Sequence, residues 1–403
     1  MNVTRKHLNK VFGALAFSFL FPLLAVIFQL PLGSLGFAVA FLTVSWLFLQ
    51  HRNKFTPILL SPASVWLILM VYHFINLKFN VGTDFDLSLF TGNILPCFIL
   101  YLCTYIAYYD FNFFIRNIVI LYLVFIIFAV FAYLIGNTFD FDGRIGIKGF
   151  HPNVLGQYAG YYCLLLSIYI ICFKPKLIKI CLLLVPPLTL IFYSESRNSF
   201  VILMFGVISY IIGYGLNKKL NISTIVKSLL MLVVFYYAGM YLLDNTSLGE
   251  RLLSGLSGDS SQVKLQYASG TIFDTILGER VMYYVMGFEI FPNHPTFGIG
   301  LWNFVEYNPF EMPFHTEYMV HLVEGGLIAF SIYLIFIIRI IKLFITVRHR
   351  THIYYQLLVC FVCILINGIT ARIFPYNQFF CVFGAIIGYL MASRKEKHYE
   401  NSI

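Results

Sequence analysis

Apolar runs separated by short polar links recur along the chain from residue 11 to residue 392. A helix that crosses the hydrocarbon of a bilayer needs roughly 20 such residues, fewer where neighbouring helices shield its ends. On that rule the pattern predicts twelve spans, near 11–30, 33–50, 58–76, 94–109, 118–136, 154–173, 180–193, 200–216, 228–243, 317–340, 353–371 and 376–392. The seventh is short and carries Pro186-Pro187, which predicts a kinked or broken helix. After Leu8 the apolar run outlasts a signal peptide and shows no small-residue cleavage site, so no cleavable leader is expected.

The pattern also predicts three regions. Residues 1–243 hold spans one to nine, residues 244–316 form one long extracytoplasmic loop, and residues 317–403 hold spans ten to twelve with a cytoplasmic tail. Within the loop, Ser254–Gly270 is turn-rich, and "GERVMYYVMGFEIF" from Gly278 predicts an amphipathic helix lying against the membrane surface. A loop of this length is usually functional or disordered, and its patterned section favours function.

Composition agrees. The chain is 60% hydrophobic and 11% charged, with a mean hydropathy of +0.82. A soluble domain carries roughly 25% charged residues, so this chain cannot cover itself in water. The expected fold class is an all-α integral membrane protein of about twelve transmembrane helices. Charge then orients it: 19 of the 27 Lys and Arg residues fall in links on the N-terminal side, whose only acids are Asp110, Glu396 and Glu400. Both termini are expected in the cytoplasm. The net charge of +9 follows from this asymmetry and gives no reason to expect nucleic acid as a partner. The eight cysteines lie in or beside apolar runs, and the Cys360–Cys363 CxxC has no second pair at a metal-site spacing, so unpaired thiols are expected.

The predicted outer face is acidic, which singles out its few arginines. Arg144 precedes the sixth span, Arg197 lies in "SESRNS" between spans seven and eight, and Arg280 opens the loop's amphipathic segment. Arginine's planar fork binds phosphate oxygens bidentately, so three near helix mouths could converge on an anion. Each could equally pair with a local acid such as Glu195 or Glu279, or reach lipid headgroups. His315 ends the loop at the mouth of the tenth span, where a neutral imidazole could take a proton from a hydroxyl; an interfacial histidine that only hydrogen-bonds its neighbours is the alternative. Glu324 follows on the span and needs a partner there. Gly325 and Gly326 beside it would let another helix approach closely.

Two DxD strings, Asp84/Asp86 and Asp140/Asp142, could hold a divalent ion or supply a carboxylate base. Neither GxxxxGK[ST] nor HExxH occurs, so nucleotide-driven work and zincin chemistry have no support.

Four segments in order carry a resemblance: "GFHPNVLGQYAG" from Gly149, "SESRNSFVILMFGV" from Ser194, "LGERVMYYVMGFEIFPNHPTFGIGLWNF" from Leu277 and "HTEYMVHLVEGGLIAF" from His315. Together they resemble the O-antigen ligase/polymerase superfamily of bacterial membrane glycosyltransferases, over about Arg144 to Phe330. The resemblance implies a GT-C-like membrane fold and an inverting glycan transfer from undecaprenyl diphosphate, without metal or other cofactor, outside the cytoplasmic (inner) membrane. It implies that His315 is the catalytic base and that Arg197, Arg280 and, more weakly, Arg144 bind the diphosphate. Glu324 and Gly325 match the family's supporting Glu-Gly pair. Thr316 stands where the family often has Asn, and His294 in "FPNHPTFGIG" matches a structural turn. The implied partners are the lipid-linked glycan donor, a glycan or lipid acceptor, membrane lipids and a chain-length regulator. A polymerase extending a lipid-linked repeat is favoured over a ligase acting on lipid A–core, since polymerases are numerous and divergent and the motif residues serve either. The rival of another class is a lipid-linked glycan flippase, which predicts pseudo-symmetric halves and buried charges at mid-membrane rather than a long outer loop.

Overall fold

The computed structural model describes residues 3–27, 34–81, 87–141, 144–147, 150–194, 281–309, 313–347, 351–372 and 377–400, together with 196, 199, 201–204 and 206. The chain divides into two compact units. Unit 1 comprises Met1–Phe125, Met286–Arg350 and Ile364–Ile403; unit 2 comprises Ile126–Val285 and Thr351–Cys363.

The described elements are overwhelmingly helical. In chain order they are α1 (Arg5–Ile27), α2 (Ser34–Gln50), α3 (Arg52–Leu59), α4 (Pro62–Val81), α5 (Leu87–Tyr109), α6 (Phe111–Leu134), α7 (Pro152–Phe173) and α8 (Leu177–Ser194). After the long gap come α9 (Val281–Ile290), α10 (Phe304–Tyr307), α11 (Glu317–Met319), α12 (Gly326–Thr346), α13 (His352–Thr370) and α14 (Asn377–Glu400). Among the described residues, seven helices are long and apolar enough to cross a membrane, and α2 with α3, bent by 116°, would make an eighth. Large apolar side chains such as Leu42, Ile75, Leu182 and Ile338 stand exposed on them, as an integral membrane protein requires. The predicted spans 200–216 and 228–243, and the loop up to residue 280, lie largely outside the described residues.

Three points refine or correct the expectations. First, the all-α class holds, and one short hairpin accompanies the helices: β1 (Thr138–Phe141) and β2 (Arg144–Ile147) pair antiparallel, with Phe141 opposite Arg144 and Asp140 opposite Ile145. The alternation in "TFDF" and "RIGI" around Asp142-Gly143 is a hairpin signal that hydropathy alone hides. Second, of the kink or break expected at Pro186-Pro187, a break is not found: α8 is one continuous helix through both prolines. Proline at 187 removes the donor that would bind the Leu183 carbonyl, and the Tyr162 hydroxyl of α7 donates to that oxygen instead, at 3.1 Å. Third, the span predicted at 317–340 is interrupted, as described below, and that predicted at 58–76 begins only at Pro62.

Unit 1 is held by close helix contacts. Gly384 and Gly388 of α14, in a GxxxG string, lie against α5, where a Cβ on Gly388 would come within 2.6 Å of the Ala107 Cβ. Trp66 of α4 is buried against Phe336 of α12 and Phe380 of α14, at ring-centroid distances of 5.0 and 5.2 Å. One end of this unit gathers basic and aromatic groups: Arg5 meets Asp110 at 3.8 Å, Tyr109 donates to the Lys54 carbonyl, and Arg339 donates to the Leu60 carbonyl. In unit 2, α7 is the central helix, 83% buried over its membrane window against 22% for α8, so α8 is the peripheral one. Gln356 of α13 donates to Ser167 of α7 at 2.6 Å, a polar tie that is buried in unit 2.

All eight cysteines are free thiols, with Cys103 and Cys381 in contact at 3.7 Å.

Candidate functional site

The segment 313–326 carries the site. Phe314 is buried and stacked on Phe304 with centroids 3.5 Å apart. Thr316 is buried in extended backbone and caps α11, its hydroxyl accepting from the Met319 N–H at 3.1 Å. His315 stands exposed between these two anchors. Alternating burial in an extended stretch therefore fixes the backbone on both sides of an imidazole that faces outward.

Beyond α11 the helix widens. Val320–Glu324 is a turn of π-helix, closed by the Gly325 N–H donating to the Val320 carbonyl at 3.2 Å, and Gly326 adopts φ +69° before α12 begins. Such a break frees backbone groups that must find partners in a dry interior. The loop at Pro295–Gly300 supplies them. Ile299 and Gly300 donate to the carbonyls of Val323 and Glu324 at 3.0 and 2.9 Å, while Leu327 and Ile328 donate to those of Pro295 and Thr296. Asn76 of α4 donates to the carbonyls of Phe297 and Glu324, and Tyr72 to that of Gly325. The two glycines admit different neighbours: a Cβ on Gly325 would meet the His73 ring of α4, and one on Gly326 would meet the loop backbone at Thr296 and Gly298. His294 belongs to this loop, its carbonyl accepting from the Gly298 N–H.

Ionisable groups crowd the same turn. Glu317 and His321, both fully buried, meet at 3.0 Å, and the other ring nitrogen of His321 lies 3.0 Å from His73. Tyr333 stacks on His321 at 4.5 Å. Glu324 is also fully buried, with a carboxylate oxygen 3.6 Å from Arg372. Arg372 lies over the Trp302 ring at 3.6 Å, and Trp302 holds a left-handed φ of +68°. Three of the four ionisable groups between residues 315 and 324, Glu317, His321 and Glu324, are thus buried internal ties, and His315 alone of the four is exposed.

Of the other predicted residues, Arg144 lies on β2, while Arg197 and Arg280 fall outside the described residues. Arg280 immediately precedes α9, whose Met282, Tyr283, Met286 and Gly287 are buried; Gly287 packs against Met319 and Val323, so this face is covered by protein. Asp140 lies on β1, and Asp84, Asp86 and Asp142 are outside the described residues. Among the described residues no three His, Cys, Asp or Glu side chains group so as to hold a metal ion.

Sequence reasoning passed over His73, Asn76, Arg372 and Trp302, and gave His321 and Glu317 no role. A signal existed for the first two: His73, Asn76 and Asn80 recur at i, i+3 and i+7, a polar stripe down one face of an apolar helix. Nothing comparable marks Arg372, which sits in a short link.

Residues 182–334 match the family model described as O-antigen ligase, which supports the O-antigen polymerase/ligase superfamily. The matched range contains Arg197, Arg280, His315, Glu324 and Gly325. No curated protein matches the chain. The family indicates a function of the O-antigen ligase/polymerase type in a bacterial membrane.

Proposed function

From that premise, we propose that the protein is a polysaccharide polymerase of the O-antigen, capsule or exopolysaccharide kind. It transfers a glycan from undecaprenyl diphosphate to a lipid-linked repeat unit, on the extracytoplasmic side of the inner membrane. The observation that carries the reading is the mounting of His315, an exposed imidazole between the buried anchors Phe314 and Thr316. An acceptor hydroxyl attacks the anomeric carbon from the face opposite the diphosphate. The new C–O bond forms as the bond to the phosphate oxygen breaks, the hydroxyl proton passes to His315, and the configuration inverts. The reading assigns the charge growing on the departing diphosphate to Arg197 and Arg280, with Arg144 as a third contact. No divalent ion has a role in it. The Glu324–Arg372 pair and Gly325 support the turn that follows His315.

The test is His315→Ala, assayed with purified protein, lipid-linked donor and acceptor. Transfer should fall by about 10²–10⁴, the usual loss of a general base, while donor binding persists. Near-normal transfer would remove His315 as base and promote the aspartates. A ligase, the alternative within the same family, would use lipid A–core in place of the second repeat as acceptor. Movement of labelled lipid across a vesicle by unmutated protein that transfers nothing would replace both readings with a flippase.

A further inference from the structure

A cavity of about 420 Å³ opens at the basic end of unit 1. It lies roughly 20 Å or more along α12 from the Glu324 turn, since Arg339 and Lys342 follow Gly326 by 13 and 16 residues. Among the described residues, Arg339, Lys342 and Arg394 line it together with Ser61 and Tyr108, and no carboxylate does. Its volume falls in the range of small-molecule sites, about 300–1,000 Å³.

Three cations in one concavity repel one another unless an anion joins them. The wall is arranged in advance: the Arg339 guanidinium donates to the Leu60 carbonyl at 2.8 Å, and Arg339 and Lys342 lie one helical turn apart on α12. Two features suit the cavity to the headgroup of a lipid. The short helix α3, with Phe55 and Ile58 buried and Arg52 exposed, turns 116° from α2. Leu60, at the end of α3, lines the cavity and is 68% exposed, giving it an apolar rim.

We propose that this cavity is a binding site for the phosphodiester headgroup of an anionic membrane lipid. The phosphate sits among Arg339, Lys342 and Arg394, Ser61 and Tyr108 offer hydroxyls to its oxygens or to a glycerol, and the acyl chains leave over Leu60. The site is separate from the glycan-transfer reading, and either can fail without the other.

The experiment titrates the purified full-length protein with dioctanoyl phosphatidylglycerol, dioctanoyl phosphatidylcholine and glycerol phosphate, read by native mass spectrometry. Phosphatidylglycerol should bind at least about tenfold more tightly than the zwitterionic lipid. Replacing all three cations with Gln should weaken it by about 100-fold, near fivefold for each charge. Arg394→Gln alone, on an exposed side chain, should give the fivefold loss even where the triple variant does not fold. Lys176→Gln, in an exposed link of unit 2, should leave affinity unchanged. Equal affinity for the two lipids, no loss in Arg394→Gln, or an equal loss in Lys176→Gln would overturn the site. Glycerol phosphate binding as tightly as the lipid would assign the cavity to a soluble phosphate ester and overturn the lipid assignment.

Discussion

Unit 1 carries arginine at both ends, under opposite conditions. At the loop-bearing end Arg372 is 5% exposed, stacked on Trp302 and 3.6 Å from the buried Glu324. At the other end Arg339 and Arg394 are exposed and share a cavity with Lys342 and, among the described residues, no carboxylate. Burial decides the difference. A cation sealed among apolar side chains must bring its own counter-ion and hydrogen-bonding surroundings, whereas one at the rim can take an anion from outside. The first arrangement makes a rigid support, and the second makes a receptor.

The comparison breaks most easily at Arg372. Arg372→Ala leaves the Glu324 carboxylate buried without its cation and should cost about 3–5 kcal/mol, whereas Arg394→Ala should cost under about 0.5 kcal/mol. Thermal unfolding in one detergent would measure both. If the pair is what matters, Glu324→Gln in the Arg372→Ala background should recover part of the loss, and additive losses would refute the coupling.

A glycine substitution sharpens the contrast with a smaller effect. Gly326→Ala forces a side chain into φ +69° against the Thr296 carbonyl and should cost about 1–3 kcal/mol. Gly13→Ala, in α1 with open space around it, should be neutral or stabilise by up to about 1 kcal/mol. Equal melting shifts would mean that the broken turn is not strained into place.

The smallest expected effect is at Thr316. Thr316→Ala removes the cap of α11 and should cost about 1 kcal/mol by the same melting measurement. Glycan transfer should fall further than that loss of stability explains if Thr316 positions His315, and a transfer rate unchanged at full folding would show that it does not.

Much of the architecture was legible in the chain because a bilayer imposes a simple rule. Each backbone group must be satisfied within its own segment, so apolar length translates directly into helices, and ten of the twelve predicted spans coincide with described helices. The position of His315 before an apolar run was legible too, as was its place in the family resemblance.

The rest depended on contacts that hydropathy does not encode. Hydropathy alone does not separate Glu317, His315, His321 and Glu324, which all stand at or just inside the mouth of one predicted span. Burial separated them: Thr316 and Phe314 face the core and leave His315 exposed, while α4 brings His73 to His321 and the link at residue 372 brings Arg372 to Glu324. The interruption at Val320–Gly326 likewise needed the loop at Pro295–Gly300 to meet its freed backbone groups. Local sequence specified where helices could form, because that follows from each segment's own apolar length. Which ionisable group was buried as a strut and which stayed exposed followed from distant segments, because a buried charge is stable only where another part of the chain supplies its partner.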